Sequence, residues 1–101
     1  MLNATLSEQK PGYLRLQGPV SFANAPVLLQ QGQTLMAQHA AVTINFDGVT
    51  TSNSAGLALL TGWWRTAKQT NKSIHFINIP TDLAAIASVC GVDHLLATTN
   101  A

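Results

Sequence analysis

Few residues in this chain are of the kinds that attack, transfer protons or bind metal, and their spacing keeps them apart. The carboxylates are Glu8, Asp47, Asp82 and Asp93. Hydrolysis by paired acids needs two carboxyl groups that converge on one bond in opposite protonation states. Here Glu8 falls in an edge segment, Asp82 sits in the first turn of an expected helix, where negative charge suits the dipole, and Asp93 opens a terminal turn. His39, His75 and His94 lack the short spacing of a metal-ligand set. His39 is expected at a helix end, His75 in a strand and His94 in the terminal turn. Cys90 is the sole cysteine, which excludes an internal disulfide or a cysteine-based zinc site and is compatible with a reducing compartment. With no cation beside it to stabilise a thiolate, it reads as a small core residue rather than a nucleophile. Gly48, Gly56 and Gly62 make neither a dinucleotide fingerprint nor a phosphate loop with lysine. The expectation is a binding protein with no catalytic residues, no metal and no cofactor, and not an enzyme.

One segment remains, Thr51-Ser52-Asn53-Ser54-Ala55-Gly56, between a β-branched run and an apolar helical pattern. The first N–H groups of a helix have no partner within it, so this turn offers donors beside the polar side chains of Ser52, Asn53 and Ser54. Ala55, Gly56 and Ala58 are small enough to let another backbone approach. Two readings stay open on the residues alone. Either the turn is a polar docking knob, or Asn53 or Ser54 caps the helix while the small residues pack on the sheet. Farther along, Leu57, Leu60, Trp64 and Ala67 recur at helical spacing and are expected to face the core. Trp63 is rotated from Trp64 by about 100°. That places it on the flank with Leu59 and Thr66, as an interface anchor unless a neighbouring helix covers it.

The elements that must position this turn follow the hydrophobic pattern. Residues 13–20 alternate after the turn signal Pro11-Gly12, giving a strand, with residues 3–8 as its hairpin partner. Pro26 suits a first helical turn, and Val27, Leu28, Leu35 and Met36 extend a helix to about Gln38. Val42, Ile44 and Phe46 share one face of a strand at 41–47, after which Gly48 lets the chain turn away. A helix over 54–70, a buried strand over 73–79 ended by Pro80, and a helix capped by Thr81 and closed by Gly91 complete the series. A last helical turn is expected at 92–97. The fold class is therefore α/β, in the order ββαβαβα plus a short terminal helix. Strands separated by single helices call for a mixed, mostly parallel sheet with its helices packed largely on one face.

Composition sets the outer bounds. The chain has 101 residues, enough for one domain spanning 1–101, with 47% hydrophobic and only 9% charged residues. Weak surface charge repels neighbours weakly, which favours a subunit of a larger assembly. The net charge is +1, and Lys10, Arg15, Arg65, Lys68 and Lys72 make no dense stripe. That excludes the phosphate-tracking surface of a nucleic-acid binder. The N-terminus lacks a charged head followed by an apolar stretch, and the uncharged run between Asp47 and Arg65 is broken by polar residues. The expectation is a cytoplasmic protein that reaches a membrane only through a partner.

At Asn53-Ser54-Ala55-Gly56-Leu57-Ala58-Leu59-Leu60 the chain resembles the STAS family, the domains named after sulfate transporters and anti-sigma-factor antagonists. Nearly the whole chain follows that family's order of elements. The string Ala55 to Leu60 is most similar to the MlaB-type subunit of the bacterial phospholipid-transport ABC complex, which maintains outer-membrane lipid asymmetry. The resemblance implies a non-catalytic subunit bound to the complex's ATPase, alongside a membrane permease, through Ser52, Asn53, Ser54, Ala55, Gly56, Ala58 and Trp63. It also implies an alternative, an anti-sigma-factor antagonist that binds a kinase-type anti-sigma factor. In those antagonists the helix opens Asp-Ser-Ser-Gly and the serine before the glycine accepts phosphate. Here Ala55 holds that position and Asn53 replaces the aspartate. Phosphorylation is therefore not expected at the family position, and only Ser54 or Ser52 could take it.

Overall fold

The alternating residues after Pro11-Gly12 form a strand, and the rest of the sheet is built outward from it. The computed structural model describes residues 4–51 and 53–91. Its elements are β1 (Thr5–Lys10), β2 (Tyr13–Pro19), α1 (Ala25–Met36), β3 (Ala41–Thr51), α2 (Ser54–Gln69), β4 (Ser73–Ile77) and α3 (Thr81–Val89). The order ββαβαβα is the expected one. Ser52 and the expected turn at 92–97, with Asp93 and His94, lie outside the described residues.

The strands form one mixed sheet in the order β1-β2-β3-β4. β1 runs antiparallel to β2, with Leu6 opposite Leu16, while β2–β3 and β3–β4 are parallel. Leu14, Ile44 and Phe76 stand in one register row across the sheet. On that face Leu16, Val42, Phe46 and Ile74 join them, and Leu28 and Met36 of α1, Leu59, Leu60 and Trp63 of α2 and Leu83 of α3 complete one core. Phe46 is central: its ring meets Trp63 and Phe76 edge-on, at centroid distances of 6.3 and 6.0 Å. Each such pair adds about 0.5–1.5 kcal/mol beyond area burial.

The opposite face carries Tyr13, Arg15, Gln17, Thr43, Asn45 and His75. Asn45, only 7% exposed, is its hub. Its amide donates to the Tyr13 hydroxyl at 3.0 Å, and its Oδ1 accepts from the Asp47 N–H at 2.9 Å and from Asn78 Nδ2 at 3.0 Å. An asparagine so satisfied is tolerated beneath neighbouring side chains.

Several expectations need correction. β3 does not end at Asp47; it runs through Gly48 to Thr51. Gly48 is opposite Gln17 beside a register shift, and a Cβ there would come within 2.6 Å of the Gln17 Cβ, so this glycine permits close strand approach rather than a turn. β4 stops at Ile77, before Asn78 at φ 56°, and only Ile74 and Phe76 are buried, because the strand is covered on one face. Pro80, not Thr81, occupies the N-cap of α3 and offers no side-chain acceptor. Cys90 is exposed at the C-cap of that helix, clear of its inward residues Leu83 and Ala87. Val27 is 57% exposed, since α1 turns Ala25, Leu28, Gly32 and Met36 inward. His39 lies beyond the end of α1 and pairs with Glu8.

The largest revision concerns α2. Its buried residues are Ala55, Gly56, Leu59, Leu60, Trp63 and Ala67, so the inward stripe is turned by about one residue from the expected one. Trp63 is fully buried and Trp64 lies at the flank, where the Lys68 ammonium stands 5.5 Å from its ring centroid. The cause is in α1. A Cβ at Gly32 would collide with the Trp63 indole, so the missing side chain is the slot into which the ring fits. The indole Nε1 then donates to the Leu29 carbonyl at 3.1 Å.

Candidate partner-binding site

The turn between β3 and α2 is shaped by Asn53. Its backbone is extended, at φ −146° and ψ −157°, and its Oδ1 accepts from the Ala55 N–H at 2.8 Å. The Gly56 N–H donates to the Asn53 carbonyl at 2.9 Å. Two donors of the helix start, the N–H groups of Ala55 and Gly56, are thereby satisfied, and Asn53 is the cap. The capping reading holds at Asn53, and Ser54 beside it stays exposed.

Exposure divides the candidate residues. Asn53, Ser54 and Ala58 face outward. Ala55 is fully buried and Gly56 is buried beside it, so neither presents a side chain to a partner. Trp63 is fully buried as well and cannot serve as an exposed anchor. Ser54 and Ala58 are four residues apart on one helix and so lie one above the other on the same face.

That face leads into a groove. Phe22, Ala25, Pro26, Leu29, Ala58 and Leu59 line a cleft of about 240 Å³ between α1 and α2. Phe22, on its rim, is 64% exposed. The loop that carries it is fastened by Asn24, whose Oδ1 accepts from the Ser21 N–H at 2.9 Å and whose Nδ2 donates to the Pro19 carbonyl at 2.8 Å. Sequence reasoning missed Phe22. Its one signal is an isolated aromatic inside the polar stretch Ser21-Phe22-Ala23-Asn24.

Among the described residues, ionisable side chains pair off at separate places on the sheet. Asp47 pairs with Arg15 at 2.8 Å on the polar sheet face, and Glu8 meets the His39 ring at 2.6 Å at the β1 edge. Glu8 also accepts from the Gly12 N–H, and that bond, followed by the one from His39, holds its carboxyl below the ordinary range. Among the described residues, no group of three His, Cys, Asp or Glu side chains could hold a metal ion. No described helix is long and apolar enough to cross a membrane.

The fold has counterparts among known proteins. A family model described as "Mlab, STAS domain" matches residues 4–97. No curated protein matches the chain. Among solved structures, the anti-sigma factor antagonist SpoIIAA in its unphosphorylated form superposes with a TM-score of 0.71 at 12% identity, covering 92% of this chain and 84% of its own. The Bacillus cell fate determinant SpoIIAA in its phosphorylated form gives 0.69 at 12% identity, covering 92% and 87%. At that identity the likeness is one of fold. The match over residues 4–97, on a mixed four-stranded sheet with three helices, places this chain in the STAS domain family.

Proposed function

We propose that the chain is a non-catalytic STAS subunit of a bacterial phospholipid-transport ABC complex that maintains outer-membrane lipid asymmetry. It docks on the cytoplasmic ATPase subunit through Asn53, Ser54 and Ala58, and is held at the inner membrane only through that partner and its permease. The observation that carries this reading is Ala55. The residue in the position where the antagonists bear their phosphate acceptor is a methyl group enclosed by the core, with no hydroxyl to modify. A partner contact there is constitutive rather than switched. By binding one conformation of the ATPase, a subunit without catalysis stabilises that state by mass action. Ser54→Arg places a large cation on the exposed face. In a pull-down from the native cell, wild type captures an ABC ATPase and the folded variant loses it; retention by the variant would show that this face is not the contact.

The signalling alternative draws on the solved structures and on the exposed hydroxyl of Ser54. A phosphate there would add about two negative charges at a helix N-terminus. Incubation with the cognate kinase and ATP, followed by intact mass, discriminates. An added phosphate on Ser52 or Ser54 would move the protein to the partner-switching class.

A further inference from the structure

Residues 16–46 contain no Lys, Arg, Asp or Glu, and residues 48–64 again contain none. All of α1 and all of α2 as far as Trp64 are therefore without formal charge, whereas among the described residues the charged side chains sit on the sheet, from Arg65 to Lys72 at and just beyond the end of α2, and at Asp82 in the first turn of α3. The groove between the two helices is lined only by apolar side chains. It is also pre-formed, because the Asn24 hydrogen bonds fix the loop that holds Phe22 at its rim. Ala58 belongs to both surfaces, lining the groove and sharing a helix face with Ser54.

We infer that the ATPase subunit seats on this neutral face through an uncharged segment, one apolar side chain of which fills the groove beside Phe22, Pro26, Leu29 and Ala58. This rests on the ATPase as the partner. The matching of neutral to neutral argues for that occupant. A charged segment would lose its hydration here and find no counter-charge. An apolar side chain instead gains roughly 25 cal/mol for each Å² it removes from water. Nothing on this face steers a partner by charge, so association runs at the unsteered rate of about 10⁵–10⁶ M⁻¹s⁻¹ and is insensitive to salt.

The test titrates the full chain with the purified ATPase subunit of the phospholipid-transport complex from the same organism, at about 50 mM and about 500 mM salt. The expected Kd changes by less than about threefold between them. Phe22→Asp and Ala58→Glu, both at exposed positions, weaken binding by about tenfold or more, while Phe22→Leu stays within about threefold of wild type. Loss of binding in Ser54→Arg with full binding in Phe22→Asp and Ala58→Glu overturns the groove and keeps the partner. A Kd that rises steeply with salt overturns the neutral contact. Absence of binding by the wild type overturns the ATPase reading itself.

Discussion

Trp63 and Gly32 form one joint between the two central helices: the glycine's missing side chain is the space the indole occupies, and the ring's N–H reaches the Leu29 carbonyl one turn earlier in α1. Gly32→Ala forces the helices apart or the ring out of its rotamer. The expected loss is about 1–3 kcal/mol, despite the higher helix propensity of alanine, and a urea denaturation midpoint measures it. An unchanged or raised midpoint would show that the joint is loose.

Asn53 holds the start of α2 by a single side-chain hydrogen bond. Asn53→Ala is expected to lower stability by about 1 kcal/mol, and Asn53→Asp to keep it, since a carboxylate accepts the same bond and suits the dipole. Thermal melts of the two variants side by side give the comparison.

Ser54 and Ala55 are adjacent in sequence and opposite in environment. Ser54→Arg should leave stability within about 0.5 kcal/mol, whereas Ala55→Leu should cost about 1–3 kcal/mol by overpacking. Equal effects would contradict the burial assigned to the helix start.

The Glu8 carboxyl is held below its ordinary value of about 4.5, first by the Gly12 N–H and then by His39. A lowered folded-state pKa means a contribution that is fully present above the unfolded value and is lost as pH falls through the folded one. Stability should therefore decline in acid, below about pH 4.5, and Glu8→Gln should flatten that part of the profile. Both groups are partly exposed, so added salt should shrink the effect. Denaturation midpoints across that range provide the readout.

Asn45 ties Tyr13, Asp47 and Asn78 together on the sheet face opposite the core that α1, α2 and α3 complete. Asn45→Ala removes three hydrogen bonds and leaves the Asp47 N–H without its acceptor, an expected loss of about 1–3 kcal/mol. Hydrogen exchange should speed most around residues 77–79, where Asn78 is anchored.

The strands and the order of elements were legible because their signal is local. Val42, Ile44 and Phe46 announce a half-buried strand by alternation, whatever packs on them. The azimuth of α2 was not legible. Leu57-Leu60-Trp64 and Leu59-Leu60-Trp63 are equally good apolar stripes within the helix, and the choice is made by a glycine thirty-one residues away in α1. Gly48 misled for a related reason, since a glycine that ends a strand and one that admits a neighbouring strand look alike until the pairing is known. In the candidate site, Asn53, Ser54 and Ala58 could be read from the helix start, but Phe22 could not. Its exposure is decided by Asn24 and Pro19, which hold its loop against the body of the fold.

The uncharged helix pair has a consequence for supply. With a net charge of +1 and no like charges on α1 to push two copies apart, surplus molecules have little to keep them dispersed at high concentration. Production in step with a binding partner, rather than in excess of it, is the regime this surface suits. The yield of dispersed material should rise on co-expression with whatever covers Phe22.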